Sequence, residues 1–255
     1  MKYRQLAVVV MAAGKGTRMK NPDMAKVMYT VGERPMIEYV VDLAVHLQAI
    51  RTIVVVGWQK QTVMDHLGRR FEGVICVEQH PQLGTGHAVM QAESMLNGFA
   101  GDVLVLSGDV PLLSRATADA LITLHRSGRA AATVLTAVVD NPTGYGRIVR
   151  DETDHVVGIV EERDASPDQK QVMEINSGIY VFDRAALFDG LKHITPENAQ
   201  KEYYLTDVFR YFWRNQLRVR AVQAEDAVEI RGINTVEQLE EARSILAMRA
   251  VPSGG

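Results

Sequence analysis

Four short apolar runs, Leu6 to Met11, Ile53 to Val56, Val74 to Val77 and Val103 to Leu106, recur through the first half of the chain. Runs this continuous suit strands buried on both faces. Between them, Met36, Ile37, Val40, Val41, Leu43, Ala44 and Leu47 repeat at helical spacing, as do Ala88, Val89, Ala92, Met95 and Leu96. The pattern predicts an α/β protein, a mostly parallel central sheet with helices on both faces. The second half reads differently. A strand is predicted over Ala131 to Val139, a hairpin over Tyr145 to Arg150 and Val156 to Val160, and a returning strand over Ile175 to Phe182. This β-rich section is expected to cover the sheet edge and to shape a second pocket. Tyr203 to Asp207 leads into an aromatic helix through Trp213, whose rings read as core. A last helix carries Leu239, Ala242, Ile245 and Leu246, and Pro252 to Gly255 reads as a loose tail.

Open α/β sheets bind ligands outside the carboxyl ends of their strands, so the residues after each run carry the chemistry. The first run opens into Ala12-Ala13-Gly14-Lys15-Gly16-Thr17-Arg18-Met19, followed by Lys26. Small residues bring backbone N–H groups close to a ligand, and Arg18 and Lys26 add positive charge, so the loop reads as a polyphosphate cradle. It is neither of two common glycine motifs. Gly16 follows Lys15 where a Walker loop needs Ser or Thr, and Met19 stands where the dinucleotide fingerprint needs its third glycine. The other runs lead to Gly57, to Glu78-Gln79 with Gln82-Leu83-Gly84-Thr85-Gly86-His87, and to Ser107-Gly108-Asp109. Asp109 is placed to hold Mg²⁺, a hard cation that shares substrate phosphate oxygens. In the second half, Gly144 allows close backbone approach, and Glu161 and Asn176 offer hydrogen bonds to sugar hydroxyl or amide groups. Glu161 and Glu162, adjacent on a strand, point to opposite faces and do not make a glycosidase pair. Asn234 reads either as a turn residue before the last helix or as a neutral oxygen ligand that joins Asp109.

Composition narrows the partners. The 255 residues carry a net charge of -3 and give no electrostatic case for nucleic acid. No apolar run has the length of a membrane span, and the segment after Met1 is too short for a signal peptide, so a cytoplasmic location is expected. The single cysteine, Cys76, lies in an apolar run and reads as a small core residue.

The ordered series resembles the uridylyltransferase domain of bacterial N-acetylglucosamine-1-phosphate uridylyltransferases over nearly the whole chain. It comprises the loop from Ala12 to Met19, Lys26, Gln79, Leu83 to Ala88, Gly108 to Pro111, Pro142 to Ile148, Gly158 to Glu161, Glu174 to Gly178, Tyr203 to Asp207 and Gly232 to Asn234. The resemblance implies a Rossmann-like nucleotidyltransferase fold. One domain over 1–255 is expected, with a nucleotide-binding part at about 1–130, a sugar-binding part at about 131–232 and a C-terminal helix and tail. It implies catalytic phosphate contacts from Arg18 and Lys26 and nucleotide binding by Ala12, Ala13, Gly14, Gln79, Gly84 and Thr85. Gly144, Glu161 and Asn176 take the sugar, and Asp109 and Asn234 hold Mg²⁺. The implied substrates are UTP and N-acetylglucosamine 1-phosphate, joined by direct attack of the sugar phosphate on the α-phosphorus. This chain departs from the usual pattern at Ala25, where relatives have Pro, at Tyr29 for His, at Thr235 for Asn or Asp, and at Ser107 for an aromatic residue. Many relatives continue into a trimerising β-helix with acetyltransferase activity. No hexapeptide repeat is present in this chain, so a monomer or weak oligomer is expected. The competing readings are a pyrophosphorylase for another sugar or nucleotide, and a non-catalytic nucleotide-sugar sensor.

Overall fold

The computed structural model describes residues 4–16, 18, 19, 21 and 23–250; Thr17 of the loop and the Pro252–Gly255 tail lie outside them. Eleven strands form: β1 (Gln5–Ala12), β2 (Thr30–Val31), β3 (Arg34–Pro35), β4 (Arg51–Val56), β5 (Val74–Glu78), β6 (Gly101–Ser107), β7 (Ala132–Val138), β8 (Arg147–Arg150), β9 (Val156–Val160), β10 (Glu174–Asp183) and β11 (Val219–Gln223). The helices are α1 (Met36–His46), α2 (Lys60–Arg70), α3 (Thr85–Met90), α4 (Arg115–Gly128), α5 (Arg184–Leu191), α6 (Asp207–Arg214) and α7 (Val236–Ala250).

Nine strands share one sheet in the order β11-β7-β10-β6-β1-β4-β5, with β8 on β10 and β9 on β8. Strands β6, β1, β4 and β5 run parallel, so their carboxyl ends share one edge. Strand β10 lies antiparallel between β6 and β7. The expectation that the 131–182 strands only cover the sheet edge is therefore corrected: β7 and β10 are central. Apolar alternation cannot distinguish a covering strand from an inserted one, because both present buried side chains. Only the β8–β9 hairpin flanks the main sheet.

Along β1, Leu6, Val8, Val10 and Ala12 enter the core on one face and Ala7 and Val9 enter the core on the other. A smaller third core joins Met19, Val31, Met36 and Leu112 to Ile233, Leu239 and Ala242, which fastens α7 beside the phosphate loop. The helical pattern expected from Ala88 to Leu96 is realised as α3 followed by a 3-10 turn at Ser94–Leu96. Gln91, Ala92 and Glu93 bond three residues back rather than four, yet Ala92 and Leu96 still reach the core. Helices α2, α4 and α5 and strand β11 were not among the elements expected from the sequence. Two of these had legible starts, since Ser114 accepts from Thr117 N and Asp183 accepts from Ala185 N and Ala186 N as N-caps.

The opposite end of β6 holds a charge cluster. Asp102 has no solvent exposure and meets Arg4 Nε and Arg126 Nε at 2.8 Å each, with His125 Nε2 at 3.6 Å. Burial pushes its carboxyl upward, but nearby His125, the hydrogen bond from Arg126 and the charge of Arg4 outweigh that and hold it below the ordinary range. A depressed carboxylate stabilises the fold above its unfolded pKa and loses that contribution as pH falls through the folded value. Asp102→Asn should therefore cost about 3 kcal/mol at neutral pH and flatten the acid limb of the stability profile, read by thermal melts from neutral pH into acid. An unchanged acid limb would show that the cluster does not govern it.

Candidate active site

The phosphate loop leaves β1 at the shared carboxyl edge and is braced on both sides. Gly108 N donates to Met11 O at 2.9 Å, Trp58 N donates to Ala13 O at 3.3 Å, and Gln82 Nε2 also donates to Ala13 O. Gly16 has φ +61°, and a Cβ there would lie 2.6 Å from Lys26 Cβ, so only glycine lets the lysine pass beneath the loop. Ala25, buried ahead of Lys26, has φ -58°. That is close to the angle proline enforces, so the missing proline leaves the local path intact. Tyr29 Oη pins the same loop, accepting from Asn21 N at 2.9 Å.

All six positions implied in nucleotide binding, Ala12, Ala13, Gly14, Gln79, Gly84 and Thr85, line one cavity of about 520 Å³ with Lys26, Ser107 and Asp109. Gln79 is buried, and its Nε2 donates to Gly84 O at 2.8 Å and lies 3.2 Å from His87 Nδ1. Burial pushes His87 below the ordinary imidazole range, which keeps that neighbour neutral near pH 7. Lys15, at the cavity rim, sits with Nζ 5.6 Å from the Trp58 ring centroid. Cys76 is half-buried and its thiol is pushed up by burial, consistent with the packing role expected of it.

Arg18, Lys26, Asp109 and Asn234 converge although they are far apart in sequence. Lys26 Nζ donates to Asp109 Oδ2 and, at 2.8 Å, to Asn234 Oδ1. Arg18 Nη2 donates to the same Asn234 oxygen at 2.7 Å. The backbone sets this meeting, because Ile233 N donates to Asp109 O at 2.9 Å. Asn234 Nδ2 turns to Gly232 O at 3.0 Å, which leaves Oδ1 toward the cations. Thr235 caps α7 reciprocally: its N donates to Gln238 Oε1 at 3.1 Å while its Oγ1 accepts from Gln238 N at 3.3 Å. The departure at Thr235 thus retains a helix start that presents Asn234.

A carboxylate and an amide oxygen already aimed at one cationic nitrogen suit a single hard cation that completes its shell with water and phosphate. Among the described residues no cluster of three or more His, Cys, Asp or Glu could hold a metal by itself. The donor set fits a hard divalent cation that takes its remaining ligands from outside the protein and does not fit an all-protein cage.

Glu161 and Asn176 face each other across Gly146, where a Cβ would lie 3.4 Å from both Glu161 Oε2 and Asn176 Cβ. Burial pushes the Glu161 carboxyl up, opposed by the Thr206 hydrogen bond and reinforced by Asp207, Asp164 and Glu202. Thr206 Oγ1 donates to Glu161 Oε1 at 2.9 Å. Glu162 turns elsewhere, to Arg147 at 2.7 Å and to the Gly144 amide at 3.3 Å. Gly144 therefore sits in the turn beside the pair, not in contact with it. A separate cavity of about 520 Å³ borders Glu161 with Asp164, Tyr204, Asp207 and Arg210.

The Glu161–Asn176 pair is tied to the cleft twice. Ser107 Oγ donates to Gly178 O at 3.5 Å. Between the segments at 83–86 and 203–205, Tyr203 N donates to Leu83 O at 2.8 Å, Gly86 N to Tyr203 O at 2.7 Å, and Leu205 N to Thr85 Oγ1 at 3.0 Å. Sequence reading assigned no role to Tyr180 or Thr206. Hydroxyls that act by orienting other side chains leave no spacing signature.

The nucleotidyl transferase family description matches residues 7–229, and the chain belongs to that family. It is 47% identical over 247 residues to Bifunctional protein GlmU of Pelotomaculum thermopropionicum, covering 96% of this chain and 53% of that protein. It is 49% identical over 241 residues to Bifunctional protein GlmU of Heliobacterium modesticaldum, covering 94% and 52%. The chain thus spans about half the length of the curated relatives it matches. A solved UDP-glucose pyrophosphorylase in complex with UDP-glucose shares the fold, with TM-score 0.76 at 18% identity over 96% of this chain and 99% of that one. No helix among the described residues is long and apolar enough to cross a membrane.

Proposed function

We propose that this chain transfers UMP from UTP to N-acetylglucosamine 1-phosphate, releasing UDP-N-acetylglucosamine and pyrophosphate. One observation carries the reading: the nucleotide positions line a single cleft with Lys26 and Asp109, and Ser107 ties that cleft to the strand bearing Asn176. The acceptor rests on the sequence resemblance together with the facing Glu161 and Asn176, which offer hydrogen bonds to a hydroxyl and an acetamido group.

The attacking sugar phosphate is already anionic, so the protein has no need of a nucleophile or a strong base; its task is alignment and charge neutralisation. Gln79 and the Gly84–Thr85 turn hold the uracil and ribose end. Arg18 and Lys26 neutralise the triphosphate, and Lys26 leaves its two oxygen partners to do so. Asp109 and Asn234 would then hold Mg²⁺. When bound, that ion screens the phosphates from each other and stabilises charge on the leaving pyrophosphate.

The test is a matrix of nucleoside triphosphates against sugar 1-phosphates, read by pyrophosphate release with and without Mg²⁺. Highest kcat/KM is expected for UTP with N-acetylglucosamine 1-phosphate. A better pair elsewhere in the matrix would reassign the substrate, and silence throughout would make the chain a binding protein. Asn176→Ala should shrink the preference for N-acetylglucosamine 1-phosphate over glucose 1-phosphate by about tenfold, with a smaller change in KM for UTP. An unaltered preference would remove Asn176 from the acceptor site.

A further inference from the structure

Strand β10 carries an irregularity that the phosphate chemistry does not use. Asn176 pairs with Thr136 and Tyr180 with Val134, so four steps along β10 match two along β7. In an unbroken strand, residues four apart stand about 13 Å from each other, beyond reach of a shared hydrogen bond. Here the intervening residues bulge out. Gly178 takes φ +78°, and Ser177 Oγ fills the bulge, donating to Leu135 O at 2.6 Å and accepting from Ile179 N at 3.0 Å. The bulge brings Asn176 Nδ2 to 2.8 Å from Tyr180 Oη, and Asn176 Oδ1 accepts from Gly178 N at 3.1 Å.

Those two bonds admit one orientation of the carboxamide. They also leave it one N–H and one lone pair, the complement of an amide that itself offers one of each. The phenol is a fixed reference. Tyr180 is 2% exposed, and its ring packs 5.5 Å from the ring centroids of Phe182 and of Phe209.

We propose that Tyr180 is a positioning residue that sets the hydrogen-bonding face Asn176 presents, and through it the discrimination between an acetamido sugar phosphate and its hydroxyl counterpart. The inference rests on the reading of Asn176 as an acceptor contact. An acetamido group needs donor and acceptor on the right sides, whereas a hydroxyl serves as either and is met by any orientation of the carboxamide. Without the phenol, Nδ2 loses its partner and only the Gly178 N–H is left to hold Oδ1, so the carboxamide is less firmly oriented; the acetamido substrate suffers and the hydroxyl substrate does not.

The experiment compares the wild type, Tyr180→Phe, Asn176→Ala and the double variant on N-acetylglucosamine 1-phosphate and glucose 1-phosphate. Tyr180→Phe keeps the packed ring. It should lower the ratio of the two kcat/KM values by about five- to tenfold, mainly through KM for the acetamido substrate. The double variant should match Asn176→Ala where the hydroxyl acts through that side chain rather than through Glu161, whose charge also reaches it. A ratio unchanged in Tyr180→Phe, or losses that multiply in the double variant, would overturn the inference even if the melting temperature fell. A wild type without preference for the acetamido substrate would instead remove the acceptor reading, and this inference with it. Should Tyr180→Phe fail to fold, the wild-type protein decides by NMR. A cross-relaxation signal between the Asn176 Nδ2 protons and the Tyr180 ring should persist when UDP-N-acetylglucosamine binds, and its disappearance would count against the proposal.

Discussion

Asp109→Ala is expected to lower kcat by on the order of 10²- to 10³-fold and to abolish the response of the remaining activity to added Mg²⁺. Asp109 follows β6 at the carboxyl edge and is the charged member of the oxygen pair that faces Lys26. Its removal leaves a hard cation only a carbonyl dipole from Asn234, which holds Mg²⁺ far less strongly than formal charge. Asn234→Ala should therefore be impaired by a smaller factor. Pyrophosphate release measured across a Mg²⁺ titration, with circular dichroism as the check on folding, separates the two. If Asp109→Ala keeps wild-type turnover and metal dependence, the ion sits elsewhere.

Lys26→Ala and Arg18→Ala carry the second large effect, a fall in kcat on the order of 10²-fold or more that persists at saturating UTP. Persistence is the informative part, because it assigns the cations to charge that develops as pyrophosphate departs. Full rescue by excess UTP would assign them to ground-state binding alone. Lys26 should matter more than Arg18. Its side chain is 11% exposed, whereas Arg18 is exposed and more strongly screened by solvent.

Much of this arrangement is legible in the sequence, for identifiable reasons. Burial of both sheet faces forces uninterrupted apolar runs, so β1, β4 and β6 announce themselves, β5 carries a similar run though it is only half-buried at the sheet edge, and the glycines and carboxylate after them fall on one edge by topology alone. A strand's place in the sheet order is not encoded in apolar alternation, and for that reason β10 reads as a covering strand when it is central. The bulge at Ser177 to Ile179 was invisible for a related cause: hydrophobic periodicity records which face a residue takes, not how far apart two residues on that face end up. The Lys26–Asp109–Asn234 meeting depends on α7 packing against Val31 and Met36, contacts no local pattern specifies. The cap formed by Thr235 and Gln238 was written in the spacing, but its consequence for Asn234 required the three-dimensional position of Asp109.

The three hydrogen bonds that join the 83–86 and 203–205 segments have a further consequence. One segment presents Gly84 and Thr85 to the nucleotide cleft, and the other runs directly into Thr206, which holds Glu161. Those bonds couple the Gly84–Thr85 turn to the Thr206–Glu161 pair. On the proposed function, the base end and the sugar end of the ligand are then read at a set separation, so the cleft would test the span between them as a single dimension and disfavour a ligand correct at both ends but of the wrong length.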